Sequence, residues 1–421
     1  MRIVCIGGGP AGLYFSILAK RAHGNHDITV VERNPAGVTH GWGVVFWEDL
    51  LEALYRHDFE SAREISESAA RWDQQEVHIH GQRAIHIGGH GFSIGRERLL
   101  EILTRRAVEL GVDVQFQREA EAPSEFADAD LIVACDGVNS KVRLLHAHQF
   151  QPRVEEGRNK YIWLGTNKVF DAFTFAFEET PAGWLWFHAY RFNRETSTCI
   201  VECPLETWQG LGFDTLGPDE TLRRLEGIFW RHLAGHSLFN QRRGLGKTPW
   251  LHFKTITNER WSHGNIALMG DAAHTTHFSI GSGTKLAIQD AIGLAGKLRE
   301  HLDIPTALRA YEEERRTSLV TLQRAARSSA AWFESVPQRV DQSTLQFAYA
   351  LLSRRGAPFW SYPLYLATQN EVLRGLLRSL HAARRWVRTG SGLRPPWAEE
   401  AGGEPSRGRR RRAPPARAGT R

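Results

Sequence analysis

Gly7, Gly9 and Gly12 stand in the spacing G-x-G-x-x-G, with Pro10 and Ala11 between the last two, and Glu32 follows twenty residues after Gly12. These residue types suit a pyrophosphate. Gly7 permits a tight strand-to-helix turn, Gly9 leaves the backbone open to phosphate oxygens, and Gly12 lets the helix lie close on the strand. The start of that helix offers unpaired N–H groups and the positive end of its dipole. Glu32 can accept hydrogen bonds from a ribose 2′-OH and would repel a 2′-phosphate, so FAD or NAD is expected rather than NADP. The alternative is a glycine-rich turn in some other α/β protein.

Such a site needs a strand, a turn, a helix and a second strand, in that order. Residues 2–6 are a short apolar, β-branched run suited to a buried strand. Ala11, Leu13, Phe15, Ile17 and Leu18 follow a helical pattern, and 28–31 is a second apolar run ending at Glu32. Two later motifs extend this βαβ unit. Cys135-Asp136-Gly137 closes the buried run 131–134, with Ser140 and Arg143 beginning a helix. Gly270-Asp271 ends the strand-like run 266–269, followed by His274, His277, Phe278, the turn Gly281-Ser282-Gly283 and a long helix. A carboxylate at a strand end, as at Asp271, can take a ribityl hydroxyl, and the glycine turn can offer N–H groups to the pyrimidine edge of a flavin.

Between these motifs the pattern changes. Residues 49–70 and 96–110 are expected to be helical, and 77–80 with 84–87 to form a hairpin around Gly81-Gln82. From 160 to 203 the chain alternates in aromatic strands, which predicts an antiparallel sheet. Alternation puts Trp184, Trp186, His188 and Tyr190 on one face. That face suits a planar ring bearing oxygen; the other reading is an aromatic sheet core. The fold class expected is α/β: a Rossmann-like FAD-binding domain (1–74, 94–155 and 261–389, the last with C-terminal helices), an inserted antiparallel-sheet substrate domain (hairpin 75–93, body 156–260) and a disordered tail (390–421).

The chain has 421 residues, 42% hydrophobic, with a formal net charge of +6. Seven Arg against three Glu between Pro396 and Arg421 place four of those charges in the tail. The body therefore shows no basic face, and no nucleic-acid partner is expected. No apolar run is long enough to span a membrane, and a nucleotide fold starting at residue 2 leaves no room for a signal peptide. The expectation is a cytoplasmic protein, monomer or homodimer. The four cysteines are scattered without a zinc spacing, so no metal is expected and buried free thiols are the better reading.

The three motifs in this order resemble the FAD-dependent aromatic hydroxylases of the p-hydroxybenzoate hydroxylase type, over about residues 1 to 375. Within that class, GDAAHTTHFSIGSGTKLAIQDA, GWGVVF and GRNKYIWLGT are similar to the salicylyl-CoA/anthraniloyl-CoA hydroxylases and to the tryptophan-pathway hydroxylase of violacein synthesis. The resemblance implies non-covalent FAD held by Gly7, Gly9, Pro10, Ala11, Gly12, Glu32, Arg33, Arg96, Asp136, Asp271, Gly281 and Gly283, with Arg98 competing with Arg96. It implies NADH or NADPH and O₂ as co-substrates and hydroxylation of an electron-rich ring through a flavin C4a-hydroperoxide. The ring expected is a hydroxy- or amino-aryl-CoA thioester, or else a free aromatic, indole or troponoid. Trp42, Trp186, Tyr190, Phe278 and Lys285 are the substrate-binding candidates. His277 is the first choice to accept the ring proton and His188 the second. Phe278 and Lys285 depart from the Pro and Asn of the wider class. The longer aryl-CoA enzymes carry a second, reductase-like domain for which this chain is expected to be too short. A flavin-linked reductase on the same fold is the alternative class. A halogenase is disfavoured because Gly183-Trp-Leu-Trp186 continues Phe187-His188-Ala189.

Overall fold

Arg2–Ile6 is buried from Ile3 onward and becomes an inner strand of a six-stranded sheet. The order is Ser262–His263, Ile266–Leu268, Leu131–Ala134, Arg2–Ile6, Asp27–Glu32, Asp113–Phe116, parallel except at the 262–263 edge. Strands covered on both faces read as continuous apolar runs, and these do. The computed structural model describes residues 1–39, 41–80, 82, 84–240, 249–356, 361–367 and 369. The tail expected at 390–421, and Gly81 of the expected hairpin turn, lie outside them.

The second sheet has eight strands in the order Leu238–Phe239, Pro152–Thr166, Ser197–Cys203, Gly183–Arg191, Phe173–Thr180, Gln75–Ile79, Ile85–His86, with Leu251–Asn258 also paired to the long strand. Its body is antiparallel as expected, but Gln75–Ile79 runs parallel to Phe173–Thr180. Parallel neighbours need a crossover, and here the intervening chain, which includes two strands of the first sheet, supplies it. One face packs Leu185, Phe187 and Val201 with Leu225 and Phe229. The other packs Phe175, Phe177 and Trp186 against Trp332, Phe333 and Phe347. A third, three-stranded sheet joins Gly43–Phe46, Gly91–Gly95 and Ala70–Trp72.

Two details differ from the sequence expectation. Residues 49–70 form two helices, Glu48–His57 and Phe59–Ser68. Asp58 breaks the run: its extended backbone caps the second helix, and its carboxylate accepts from Ser61 N–H at 3.1 Å and pairs with Arg21 and Arg106. Pro152–Thr166 is one strand of 15 residues, so it runs across the boundary expected at 155/156. The helix Ile304–Glu334 links the two large sheets. Near its start Glu312 accepts from Trp261 N–H beside the first sheet, and near its end Trp332 and Phe333 cover the second.

Candidate active site

The glycine fingerprint is shaped by close backbone approach. Gly7 has φ +113°, and a Cβ there would lie 2.3 Å from the carbonyl oxygen of Cys135. A Cβ on Gly12 would lie 2.3 Å from the carbonyl oxygen of Gly7. A Cβ on Gly9 meets no described atom within 4 Å beyond its chain neighbours. Gly9 caps the helix Pro10–Ala22 without a side chain to occupy the first N–H groups. Those donors therefore face open space, as a phosphate site requires. Glu32 accepts from Gly8 N–H at 2.8 Å and from both nitrogens of Asn34 at 2.8 and 2.7 Å.

The other two motifs converge on the same helix start. Gly270 (φ +62°) is wedged between helices: a Cβ would come 3.2 Å from that of Ala11 and 3.6 Å from that of Ala287. Asp271 is thereby held beside Ala11. Its side chain is exposed at the surface, yet the surrounding protein atoms push its carboxyl up by desolvation against the opposing pull of Arg96. Arg96 donates to Thr39 Oγ1 at 3.0 Å; desolvation lowers its pKa while the carboxylates of Asp271 and Glu32 support its charge. Arg98 points elsewhere, to Glu64 and Ser68, so Arg96 is the arginine that faces these groups. Asp136 accepts from Val142 N–H through Oδ2, while its buried Oδ1 has no partner among the described residues. Arg143 bridges the two motifs, donating to Ala272 O and Val138 O. An orphaned carboxylate oxygen, an unfilled helix start and two carboxylates, Asp271 and Glu32, acting on Arg96 fit a bound FAD. Arg33 is exposed beside this cradle.

A residue absent from the sequence reading holds the Gly270–Asp271 turn. Asp290, fully buried, accepts from Gly270 N–H at 3.0 Å, contacts His274 Nε2 at 2.7 Å and accepts from Arg315 Nε at 2.8 Å. Burial alone would raise its carboxyl, but His274 and Arg315 hold it below the ordinary range. The signal was in the sequence: Leu286, Asp290 and Leu294 recur every four residues, so the acid stands on the helix's buried stripe.

Beside Asp271, which bears electrostatically on Tyr161, lies a cluster of aromatic side chains, hereafter called the chamber. Phe278 stacks on His277 (centroids 4.3 Å) and approaches Tyr161 (4.9 Å) and His188 (5.5 Å). The predicted face is real: His188 pairs opposite Phe175, and Trp186 opposite Phe177 and Glu202. His277 Nδ1 lies 2.7 Å from Ser279 Oγ, which continues to Ser329 Oγ at 2.7 Å. Nδ1 also caps Ser279 N–H at 3.4 Å. With Nδ1 as acceptor, the neutral ring carries its proton on Nε2. Burial lowers the His277 imidazole to about 4, against the pull of Glu202. Burial also takes His188 well below its ordinary value, and its Nε2 has no hydrogen-bond partner among the described residues.

The remaining candidates are spread around this chamber. Trp186 is fully buried under Phe333 and donates to Glu202 Oε2 at 3.0 Å. Tyr190 spends its hydroxyl on Gly43 O at 2.8 Å, pinning the GWGVVF segment to the sheet. Trp42 packs on Gly165, where a Cβ would come within 2.7 Å of the indole. Lys285 pairs with Asp49, so the structure places its ammonium at the helix Glu48–His57. Gly281 (φ +64°) is crowded by Val45 and Trp47, whereas a Cβ on Gly283, at the start of the helix Gly283–Glu300, meets open space. Glu202 was also missed. Its phase is that of Thr198 and Ile200, and the structure sets it opposite Tyr161 on the chamber face.

A family model described as FAD binding domain matches residues 122–326. Salicyloyl-CoA 5-hydroxylase of Streptomyces sp is 38% identical over 84% of this chain and 70% of its own. The chain belongs to the FAD-dependent aromatic hydroxylases. A 3-hydroxy-4-methyl-anthranilyl-[aryl-carrier protein] 5-monooxygenase of Streptosporangium sibiricum is 36% identical to the hydroxylase, covering 80% of this chain and 90% of that one. Protodeoxyviolaceinate monooxygenase of Chromobacterium violaceum is 33% identical over 84% of this chain and 95% of its own. The fold matches that of 2-methyl-3-hydroxypyridine-5-carboxylic acid oxygenase, with TM-score 0.63, 21% identity, and 84% and 96% of the two chains covered. The hydroxylase is thus an FAD-dependent monooxygenase that uses NAD(P)H and O₂. Among its described residues, no helix is long and apolar enough to cross a membrane.

Proposed function

We propose that this hydroxylase acts on a hydroxy- or amino-substituted aromatic acid carried as a thioester. One observation carries the reading: two relatives above 35% identity are named for aryl groups on CoA and on a carrier protein. FAD, when bound, supplies the oxygen activation, and NAD(P)H the electrons. The cradle residues Gly7, Gly9, Pro10, Ala11, Gly12, Glu32, Arg96, Asp136 and Asp271 would hold it. The chamber of Phe278, Tyr161, His188 and Phe333 would orient the ring and exclude water. His277, with its proton on Nε2, would donate a hydrogen bond to the ring oxygen or carbonyl, and His188 on the sheet would accept the ring proton. The buried Cys5, Cys199 and Cys203, unbridged, suit a reducing cytoplasm.

The test is a panel of salicylate and anthranilate against their CoA thioesters, following NAD(P)H oxidation, ¹⁸O incorporation and hydroxylated product together. Faster coupled hydroxylation of the thioesters is expected. Equal rates for acid and thioester would remove the thioester reading. Product formed anaerobically would mean a reductase.

A further inference from the structure

The sheet face carries a buried acid that the cofactor cradle does not use. Glu202 is 1% exposed, and His188 is 2% exposed. Glu202 Oε1 accepts from Asn159 Nδ2 at 2.8 Å and Oε2 from Trp186 Nε1 at 3.0 Å. Both donors are neutral and each engages a different carboxylate oxygen, so an amide here could accept only one of the two bonds, while a buried carboxylate carries a desolvation cost. Only a carboxyl could also take a proton. The group next to it is an imidazole: His188 Nε2 lies 3.6 Å from Glu202 Oε2 and has no hydrogen-bond partner among the described residues. That gap is one that closes in a working acid–base pair. His188 in turn abuts Phe278 of the chamber.

We propose that Glu202 and His188 form one buried acid–base dyad that accepts the proton released by the substrate ring, with Glu202 as the positioning residue and proton sink behind His188. The inference rests on the reading that a ring hydroxyl or amine is activated in this chamber. The step is balanced. The ring O–H or N–H bond breaks and its proton bonds to one nitrogen of His188. The proton on Nε2 passes to the Glu202 carboxylate, and the electron pair stays on the ring heteroatom. One negative charge thus moves from Glu202 to the ring, and the net charge of the buried site does not change. A transfer that adds no charge to a low-dielectric site avoids a new desolvation penalty.

The surrounding groups agree with this assignment. Burial pushes the Glu202 carboxyl up, and the opposing pulls of His277, Asn159 and Trp186 do not cancel the rise. A carboxyl so raised is a better match for a phenol than an ordinary one, whose pKa is about 4.3. From the adjoining elements, Tyr161 faces it in register from the long strand, His277 from the turn before Gly281, and Arg354 reaches the two histidines electrostatically. Arg354 donates to the carbonyl oxygens of Leu351 and Ser279.

The experiment uses the FAD-loaded enzyme and its isosteric Glu202→Gln variant, in which the amide oxygen can still accept from one of Asn159 and Trp186, with retained FAD reporting an intact site. The ¹⁵N-histidine NMR signal of His188, assigned by its loss in His188→Phe, is followed against pH without substrate. In the wild type it should move over the interval in which Glu202 titrates, and in Glu202→Gln that movement should vanish. The same pH dependence in both proteins would overturn the dyad. In the coupled assay Glu202→Gln should keep bound FAD and its reduction while hydroxylation falls by about 10²-fold and loses its acidic limb. A wild-type rate and pH profile would equally overturn it. Because the NMR arm needs no substrate, a panel with no hydroxylated ring strikes the substrate reading alone.

Discussion

Replacing Asp290 tests how the Asp271 turn is held. Asp290→Ala removes the acceptor of Gly270 N–H, of Arg315 and of the His274 contact, all in a fully buried position. Breaking a buried charge pair by deleting one partner costs about 3–5 kcal/mol. The unsatisfied Gly270 N–H adds about 1 kcal/mol. Against a total stability of roughly 5–15 kcal/mol, a loss of about 4–6 kcal/mol is a large share. Urea unfolding of the FAD-free protein, followed by far-UV circular dichroism, should show the midpoint falling by roughly 1–2 M for a slope near 3 kcal/mol/M. FAD affinity of the folded fraction should fall too, since Asp271 adjoins Gly270. Asp290→Leu combined with Arg315→Met removes the orphaned charge and should recover most of the loss. The carboxyl is held below its ordinary range, so its contribution is present above the unfolded pKa near ~3.9 and is lost as pH falls through the folded value. Wild type and variant should therefore converge in acid. A single variant within 1 kcal/mol of wild type, or a double variant no better than the single, would refute the argument.

Other outcomes follow from the same geometry. Gly9→Ala has room for its methyl, so the FAD-free protein should keep wild-type stability while FAD affinity drops at least about tenfold, ~1.4 kcal/mol, in a flavin-fluorescence titration. Gly12→Ala meets the Gly7 carbonyl instead and should lower the unfolding midpoint itself. His277 is held from 6.5 down to about 4, so acid protonates the unfolded chain first. Stability should fall by up to about 3 kcal/mol between pH 6.5 and 4, and His277→Asn should flatten that slope in urea titrations at each pH. His277→Ala should lose about tenfold in product per NAD(P)H oxidised, the worth of one hydrogen bond. A larger loss than His188→Ala shows would return the base to His277.

The nucleotide cradle was legible because its determinants are local. Strand, glycine turn, helix and terminal acid lie within residues 2–32; Gly12 is required by backbone five residues earlier and Gly7 by the end of the strand alongside, while Gly9 keeps the phosphate approach open. Alternation likewise put Trp184, Trp186, His188 and Tyr190 on one face, since the pleat has period two wherever the strand goes. What those side chains do there was not local. Tyr190 is spent on the Gly43 carbonyl and Lys285 on Asp49, partners 147 and 236 residues away in the chain. Glu202 reads as an ordinary polar residue at a strand end until register sets it opposite Tyr161 and beside His188. Composition and periodicity determined the cofactor fold. Only the tertiary structure, by choosing which strand faces are dry and which buried groups meet there, decided where an acid stands ready for a proton.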